Sequence, residues 1–187
     1  MKRLTNLTLT LPLSLFLSGH IFNLPTATAE DVCPESPAWV HASCKMTIHF
    51  PSSPCTTIEA EIKARLTDPN WIDPHNAGTY TCSNCSDKSM IKGSRATGNQ
   101  KYTDLFTFSL SESTPSGCLV QACSKSQVTS VLDFSTNYCN LRNLYCNHSD
   151  GCVPLTSGGD LEYEEKYTSC KQNEKSNCIV ATLEEDN

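Results

Sequence analysis

The sequence predicts an α+β domain held together by disulfides. Three observations point there: one strong amphipathic helix signal, a following stretch whose period drops from four to two, and twelve cysteines, none before residue 33. The expected arrangement is one N-terminal helix packed on a curled antiparallel sheet, with a second, shorter helix after it.

Residues 1–29 read as a signal peptide. Lys2 and Arg3 give a charged start, leucines recur at 7, 9, 11, 13, 15 and 17, and Ala27-Thr28-Ala29 offers the small residues a signal peptidase reads. Pro12, Ser18, Gly19, His20 and Asn23 interrupt the apolar run, and a spanning helix needs about 20 apolar residues. No second apolar segment follows and the last residues are acidic, so the mature chain is expected to be soluble and secreted. The whole chain carries a net charge of −6, and loss of Lys2 and Arg3 takes it to about −8. Such a surface excludes nucleic acid and anionic membrane as partners, because both need clustered positive charge.

Lys45 to Phe50 is a strand candidate with Met46, Ile48 and Phe50 on one face. Pro51-Ser52-Ser53-Pro54 breaks it. The helix follows, capped by Ser53 with Pro54 in the first turn or by Thr56 with Glu59 three residues on. Ile58, Ile62 and Leu66 form its apolar stripe, and Glu59–Lys63 and Glu61–Arg65 are opposite charges at i,i+4. Asp68-Pro69 ends it. Thr79 to Cys85 is the next strand. Ser89 to Ala96 and Lys101 to Leu110 flank a hairpin turn at Thr97-Gly98-Asn99-Gln100, with Phe106, Phe108 and Leu110 facing one way. Pro115-Ser116-Gly117 turns the chain into Cys118 to Ala122, and Gln127 to Leu132 reads as another strand. Asp133 or Ser135 caps a second helix running to Cys146. These elements make residues 30–152 one disulfide-rich domain. From Asp150 periodicity fades, Ser157-Gly158-Gly159-Asp160 reads as a linker, and residues 153–187 as a mobile acidic extension ordered near Cys170 and Cys178.

The even cysteine count predicts that Cys33, Cys44, Cys55, Cys82, Cys85, Cys118, Cys123, Cys139, Cys146, Cys152, Cys170 and Cys178 all pair. A chain of this length buries about 68–70% of its unfolded surface without staples. Six bridges at roughly 2–4 kcal/mol each exceed the usual 5–15 kcal/mol of net stability, so they read as compensation for long loops and as protection from proteolysis. Distance along the chain favours Cys170–Cys178 and Cys146–Cys152, the latter around the turn dipeptide Asp150-Gly151. Cys139 and Cys146, seven apart, are placed to staple the second helix to the sheet. Cys82-Ser83-Asn84-Cys85 has the spacing of a redox pair, but no helix start follows it, so the two are read as bonded to different partners. No second pair has zinc spacing, and no cofactor motif is present.

The nearest thing to a reactive site is Asn70-Trp71-Ile72-Asp73-Pro74-His75-Asn76. A hydrolase can use His75 as general base with Asp73 or Asp104 orienting it, and Asp68, Asp73 and His75 can bind a metal. Asp-Pro and Asn-x-Gly are also turn formers, and the structural loop is the favoured reading. Two acceptor sequons remain after the signal, at Asn84 and Asn147, of which Asn147 beside Asp150-Gly151 is the better glycosylation site.

Asp73-Pro74-His75-Asn76-Ala77-Gly78-Thr79-Tyr80 and the stretch from Ser124 to Cys146, with its Asp-Phe-Ser-Thr-Asn-Tyr-Cys-Asn-Leu run, resemble segments of uncharacterised secreted cysteine-rich proteins of unicellular algae and related protists. The resemblance covers about Cys44 to Cys152. It implies an exported domain and assigns no activity and no functional residue. The sequence therefore supports a secreted, disulfide-rich, extracellular binding or interaction module, whose partner is an extracellular protein, a glycan or a small apolar ligand. The alternatives are a small secreted hydrolase centred on His75 and a crosslinked wall or matrix component.

Overall fold

The computed structural model describes residues 32–113, 116–156 and 160–179. The signal-peptide reading of residues 1–29 lies outside them, as do Pro115 of the Pro115–Gly117 turn and most of the Ser157–Asp160 linker. The first element is a strand, β1 (Ser43–Phe50), whose alternating pattern buries Cys44, Met46, Ile48 and Phe50. Helix α1 (Cys55–Thr67) comes next. Its apolar stripe is as the spacing predicts: Ile58, Ile62 and Leu66 are buried in the core. Its start is not. Pro54 occupies the cap position and no side chain caps the helix, so neither Ser53 nor Thr56 does so. The start is fixed covalently instead, through Cys55–Cys118.

Four strands follow: β2 (Thr79–Asn84), β3 (Met90–Ala96), β4 (Thr103–Ser113) and β5 (Gly117–Ser126). They form an antiparallel meander, with β1 pairing on the far side of β5 and β6 (Glu164–Cys170) on the far side of β1, in the order β2-β3-β4-β5-β1-β6. The β3–β4 turn is closed by the Gln100 N–H donating to Thr97 O at 2.7 Å. Phe106, Phe108 and Leu110 of β4 face the core, beside Val120 and Ala122 of β5. Helix α2 (Thr136–Arg142) packs Tyr138 and Leu141 on the same face of the sheet, with Leu144 and Tyr145 just beyond it. It is shorter than the span Asp133 to Cys146. Asp133 makes its first contact, accepting from Asn137 N at 3.1 Å, while Ser135 sits in the left-handed region at φ 67°.

Two further expectations need correction. Gln127 to Leu132 forms no strand. Its apolar residues Val128, Val131 and Leu132 lie on an exposed loop, so they carry no sheet period. The segment read as a mobile extension ordered near Cys170 and Cys178 is ordered there, but as part of the domain: it supplies β6, and Cys178 lies in a 3-10 turn buried against α2. β6 reads as polar because it is an edge strand, pairing on one side only and exposing most of its side chains.

All twelve cysteines pair, as Cys33–Cys123, Cys44–Cys170, Cys55–Cys118, Cys82–Cys85, Cys139–Cys178 and Cys146–Cys152. Cys146–Cys152 agrees with the sequence spacing. Cys170–Cys178 does not form: pairing of β6 with β1 sets Cys170 opposite Cys44. Cys82 and Cys85 bond each other across the irregular end of β2 rather than separate partners. Neither Cys139 nor Cys146 bonds a cysteine of the sheet, so neither bridge staples α2 to it.

Candidate functional site

The inner face of the sheet is apolar over most of its length and turns polar at one end. There Arg95 and Asp104 stand opposite each other on β3 and β4, and Ser126 and Ser124 follow on β5. All four are buried, so each must find a partner inside the protein.

Asp73 is one such partner. Its Oδ2 accepts from Arg95 Nε at 2.9 Å and from a second nitrogen of the same guanidinium, and its Oδ1 accepts from Asn143 Nδ2 at 2.9 Å. The backbone N–H groups of His75 and Gly78 complete its shell. Arg95 also donates to Asn76 Oδ1 at 2.9 Å and lies 5.7 Å from the centre of the Tyr80 ring. A Cβ at Gly78 would collide with the guanidinium, which is why glycine stands there. Asn76 and Ala77 take positive φ (57° and 51°) to wrap the loop around Arg95. The Asp73–Gly78 loop is thus a cradle for one buried arginine.

His75 does not form the proposed hydrolase pair. Its imidazole is buried, with Nδ1 2.5 Å from Asn177 O and Nε2 3.4 Å from Thr136 Oγ1. A carbonyl only accepts, so Nδ1 carries the hydrogen and Nε2 receives the threonine hydroxyl. Among the described residues His75 joins no ion pair. Burial holds its pKa below the ordinary imidazole value. A nucleophile–base–acid chain needs a carboxylate to orient the ring, and Asp73 is committed to Arg95. Asp68 and Asp73 do not converge with His75 on a metal position either. Among the described residues no group of three His, Cys, Asp or Glu side chains does so.

Asp104 occupies the mouth of this polar end. Ser126 Oγ donates to its Oδ1 and Asn140 Nδ2 to its Oδ2, both at 2.7 Å. The contacts close into a ring, because Asn140 Nδ2 also donates to Ser124 Oγ (3.0 Å), Ser124 Oγ to Asn137 Oδ1 (2.7 Å), and Asn137 Nδ2 to Ser126 Oγ (3.1 Å). Asn137 and Asn140 lie three apart on α2 and so project together onto the sheet. The ring holds the Asp104 carboxylate in one orientation.

That carboxylate lines a cleft of about 250 Å³ between the β3–β4 turn and the loop leading into α2, bounded by Tyr102, Leu132, Asp133, Phe134 and Thr136. Tyr102, Leu132 and Phe134 are 52%, 64% and 69% exposed. Phe134 and Ser135 are consecutive residues at positive φ (49° and 67°), a conformation costing about 1–3 kcal/mol at each non-glycine position. The C-terminal segment imposes it. Gln172 Oε1 accepts from Asp133 N at 2.8 Å and Phe134 N at 3.0 Å, and Ser135 Oγ accepts from Glu174 N at 3.0 Å. His75 stands behind Thr136, so His75 and Asp104 approach the same cleft from different layers, but only Asp104 lines it.

A neighbouring cleft of about 320 Å³ shares Ser130, Leu132 and Asp133 with this one, and two of about 400 and 430 Å³ lie beside Trp71 and Ile72 and share Arg65 and Asp68. Their charged wall is committed internally. Arg65 binds Glu61 (2.7 Å) and the main-chain oxygens of Asn143 and Cys146 (2.8 Å each), and Trp71 packs on Tyr80. Size alone therefore does not make them the better site. Tyr102, Leu132, Phe134, Ser126, Asn137 and Asn140 escaped sequence reasoning. The signal was present in Val131-Leu132-Asp133-Phe134, an apolar run without a period, and in the i,i+3 asparagines.

The two sequon asparagines differ in setting. Asn147 is buried, its Nδ2 donating to Leu161 O at 2.5 Å and its Oδ1 accepting from Leu161 N at 2.9 Å, whereas Asn84 is half-buried at the end of β2. No helix among the described residues is long and apolar enough to cross a membrane. The chain matches no protein-family model, no curated protein and no solved structure.

Proposed function

We propose that this chain is an extracellular binding module whose ligand seat is the Asp104 cleft. Six disulfides with no free thiol are typical of proteins that mature and work outside the cytosol. The observation that carries the binding reading is the rim. Three large apolar side chains, Tyr102, Leu132 and Phe134, remain more than half exposed around a polar floor. Apolar groups gathered at a concave site with a few fixed polar atoms are the ordinary make-up of a ligand seat. Clefts for drug-sized molecules span roughly 300–1,000 Å³, so a volume of about 250 Å³ suits something smaller. The likeness to exported cysteine-rich proteins of algae and related protists belongs to the same proposal and rests on the two segments that carry it.

The test is a chemical-shift titration of the ¹⁵N-labelled mature protein with single-ring aromatics, monosaccharides and small amines. Saturable shifts confined to Thr97, Tyr102, Asp104 and residues 126–136 are expected, and Phe134→Ala should remove them without changing the melting temperature. Shifts only around Trp71 and Val153, or none with any fragment, would contradict the assignment.

A further inference from the structure

We infer that the cleft selects a small organic cation, an amine or quaternary ammonium on a short apolar body; the inference rests on the binding reading above. The argument begins with charge balance. The other buried or nearly buried carboxylates each have a cationic side chain: Glu61 has Arg65 at 2.7 Å, Asp73 has Arg95, Asp150 has Arg142 at 2.6 Å, and Glu165 has Lys175 at 3.6 Å. Asp104 is 2% exposed and takes part in no ion pair among the described residues. Arg95 stands across from it in the β3–β4 register but commits Nε and Nη2 to Asp73, and its Nη1 bonds nothing. One guanidinium thus faces two buried carboxylates. Asp133, on the cleft wall, is a second acid without an ion pair among the described residues. Neither neighbouring histidine lines the cleft: His75 carries its hydrogen on Nδ1 toward Asn177 and presents an accepting Nε2 to Thr136, and His41, in the adjoining cleft, turns Nδ1 to Ala38 O at 2.7 Å.

A buried charge is costly unless it is paired as well as hydrogen-bonded. Ser126 and Asn140 hydrogen-bond and orient Asp104 but do not neutralise it. Among the described residues no Lys, Arg or His lines the cleft, while Tyr102 and Phe134 bring two aromatic rings to its rim. A carboxylate floor with an aromatic rim is the chemistry that binds ammonium groups, by Coulomb attraction below and by cation–π contact around. A neutral sugar would use the hydroxyls but leave Asp104 without a counter-charge. A metal ion would find too few ligands and no use for the rings.

The experiment compares choline with its uncharged isostere, 3,3-dimethyl-1-butanol, on the ¹⁵N-labelled mature protein. Choline should bind at the cleft at least about tenfold more tightly, and its affinity should fall with ionic strength. Asp104→Asn should weaken choline about tenfold or more. Phe134→Leu and Tyr102→Leu, at exposed positions that the fold does not need, should weaken it about fivefold, and they carry the test if Asp104→Asn fails to fold. Equal binding of choline and the isostere overturns the charge selection and leaves the binding reading standing. So does response to uncharged fragments but not to choline. Retention of choline affinity in both rim variants overturns the two together. Silence of the cleft toward every probe overturns both.

Discussion

His75 sits between a main-chain carbonyl and a threonine hydroxyl, with no carboxylate at either ring nitrogen. Its burial costs the protonated form more than the neutral one, which lowers its pKa in the fold. The sign of the pH effect follows. In the unfolded chain the ring takes up a proton as pH falls through about 6.5, whereas in the fold it resists until lower pH. The unfolded state therefore binds the proton first, and stability present above pH 6.5 is lost as pH falls toward the lowered value. Each unit of lowering is worth about 1.4 kcal/mol. Urea denaturation at pH 7.5 and 5 should show this loss, and His75→Asn should flatten it. An unchanged pH slope in the variant would place the titration elsewhere. Glu61 and Asp150 act in a separate, lower window. Burial pushes both up, but Thr156, Leu155 and Arg65 together more than offset it at Glu61, and Tyr163, Asn147 and Arg142 together do so at Asp150. Their contribution is present above the ordinary carboxylate range and is lost as pH falls below it. At this scale the Asp73–Asn76 motif was legible as a loop. Its purpose was not, because Arg95, the group it surrounds, lies about 20 residues away and carries no local mark.

Strand β6 owes its place to side chains that no period reveals. Glu165 accepts hydroxyls from Tyr138 (2.8 Å), Tyr145 (2.7 Å) and Tyr167 (2.8 Å), and Tyr138 and Tyr145 are buried. Glu165→Ala strands two buried hydroxyls at about 1–3 kcal/mol each. It should lower unfolding free energy by about 2–5 kcal/mol in urea titrations, and Glu165→Gln, which keeps an acceptor, by less. A loss under 1 kcal/mol for the alanine variant would show that β6 does not depend on this contact. The elements read correctly from sequence are those whose apolar residues recur on one face: Met46, Ile48 and Phe50 in β1, Ile58, Ile62 and Leu66 in α1, Phe106 and Phe108 in β4. β6 was missed because an edge strand exposes its side chains, and the 127–132 loop was misread because its apolar residues face water. Of its apolar residues, Leu132 lines the proposed cleft.

Over the whole molecule, one layer of helices covers one face of the sheet, and the bridges tie sequence-distant pieces onto it. Cys33–Cys123 pins the segment before β1, Cys44–Cys170 fixes β6 to β1, and Cys139–Cys178 ties α2 to the C-terminal segment, whose Gln172 and Glu174 hold the strained Phe134–Ser135 loop. The cleft is thereby built before any ligand arrives, which lowers the ordering cost of binding. Its shape depends on long-range connectivity more than on local sequence. Peptide mapping of the unreduced protein with a free-thiol count reads that connectivity directly. It should recover Cys33–Cys123, Cys44–Cys170, Cys55–Cys118, Cys82–Cys85, Cys139–Cys178 and Cys146–Cys152 with no alkylated thiol; a Cys170–Cys178 peptide, or several labelled sulfhydryls, would detach the C-terminal segment from the cleft and contradict the preformed site.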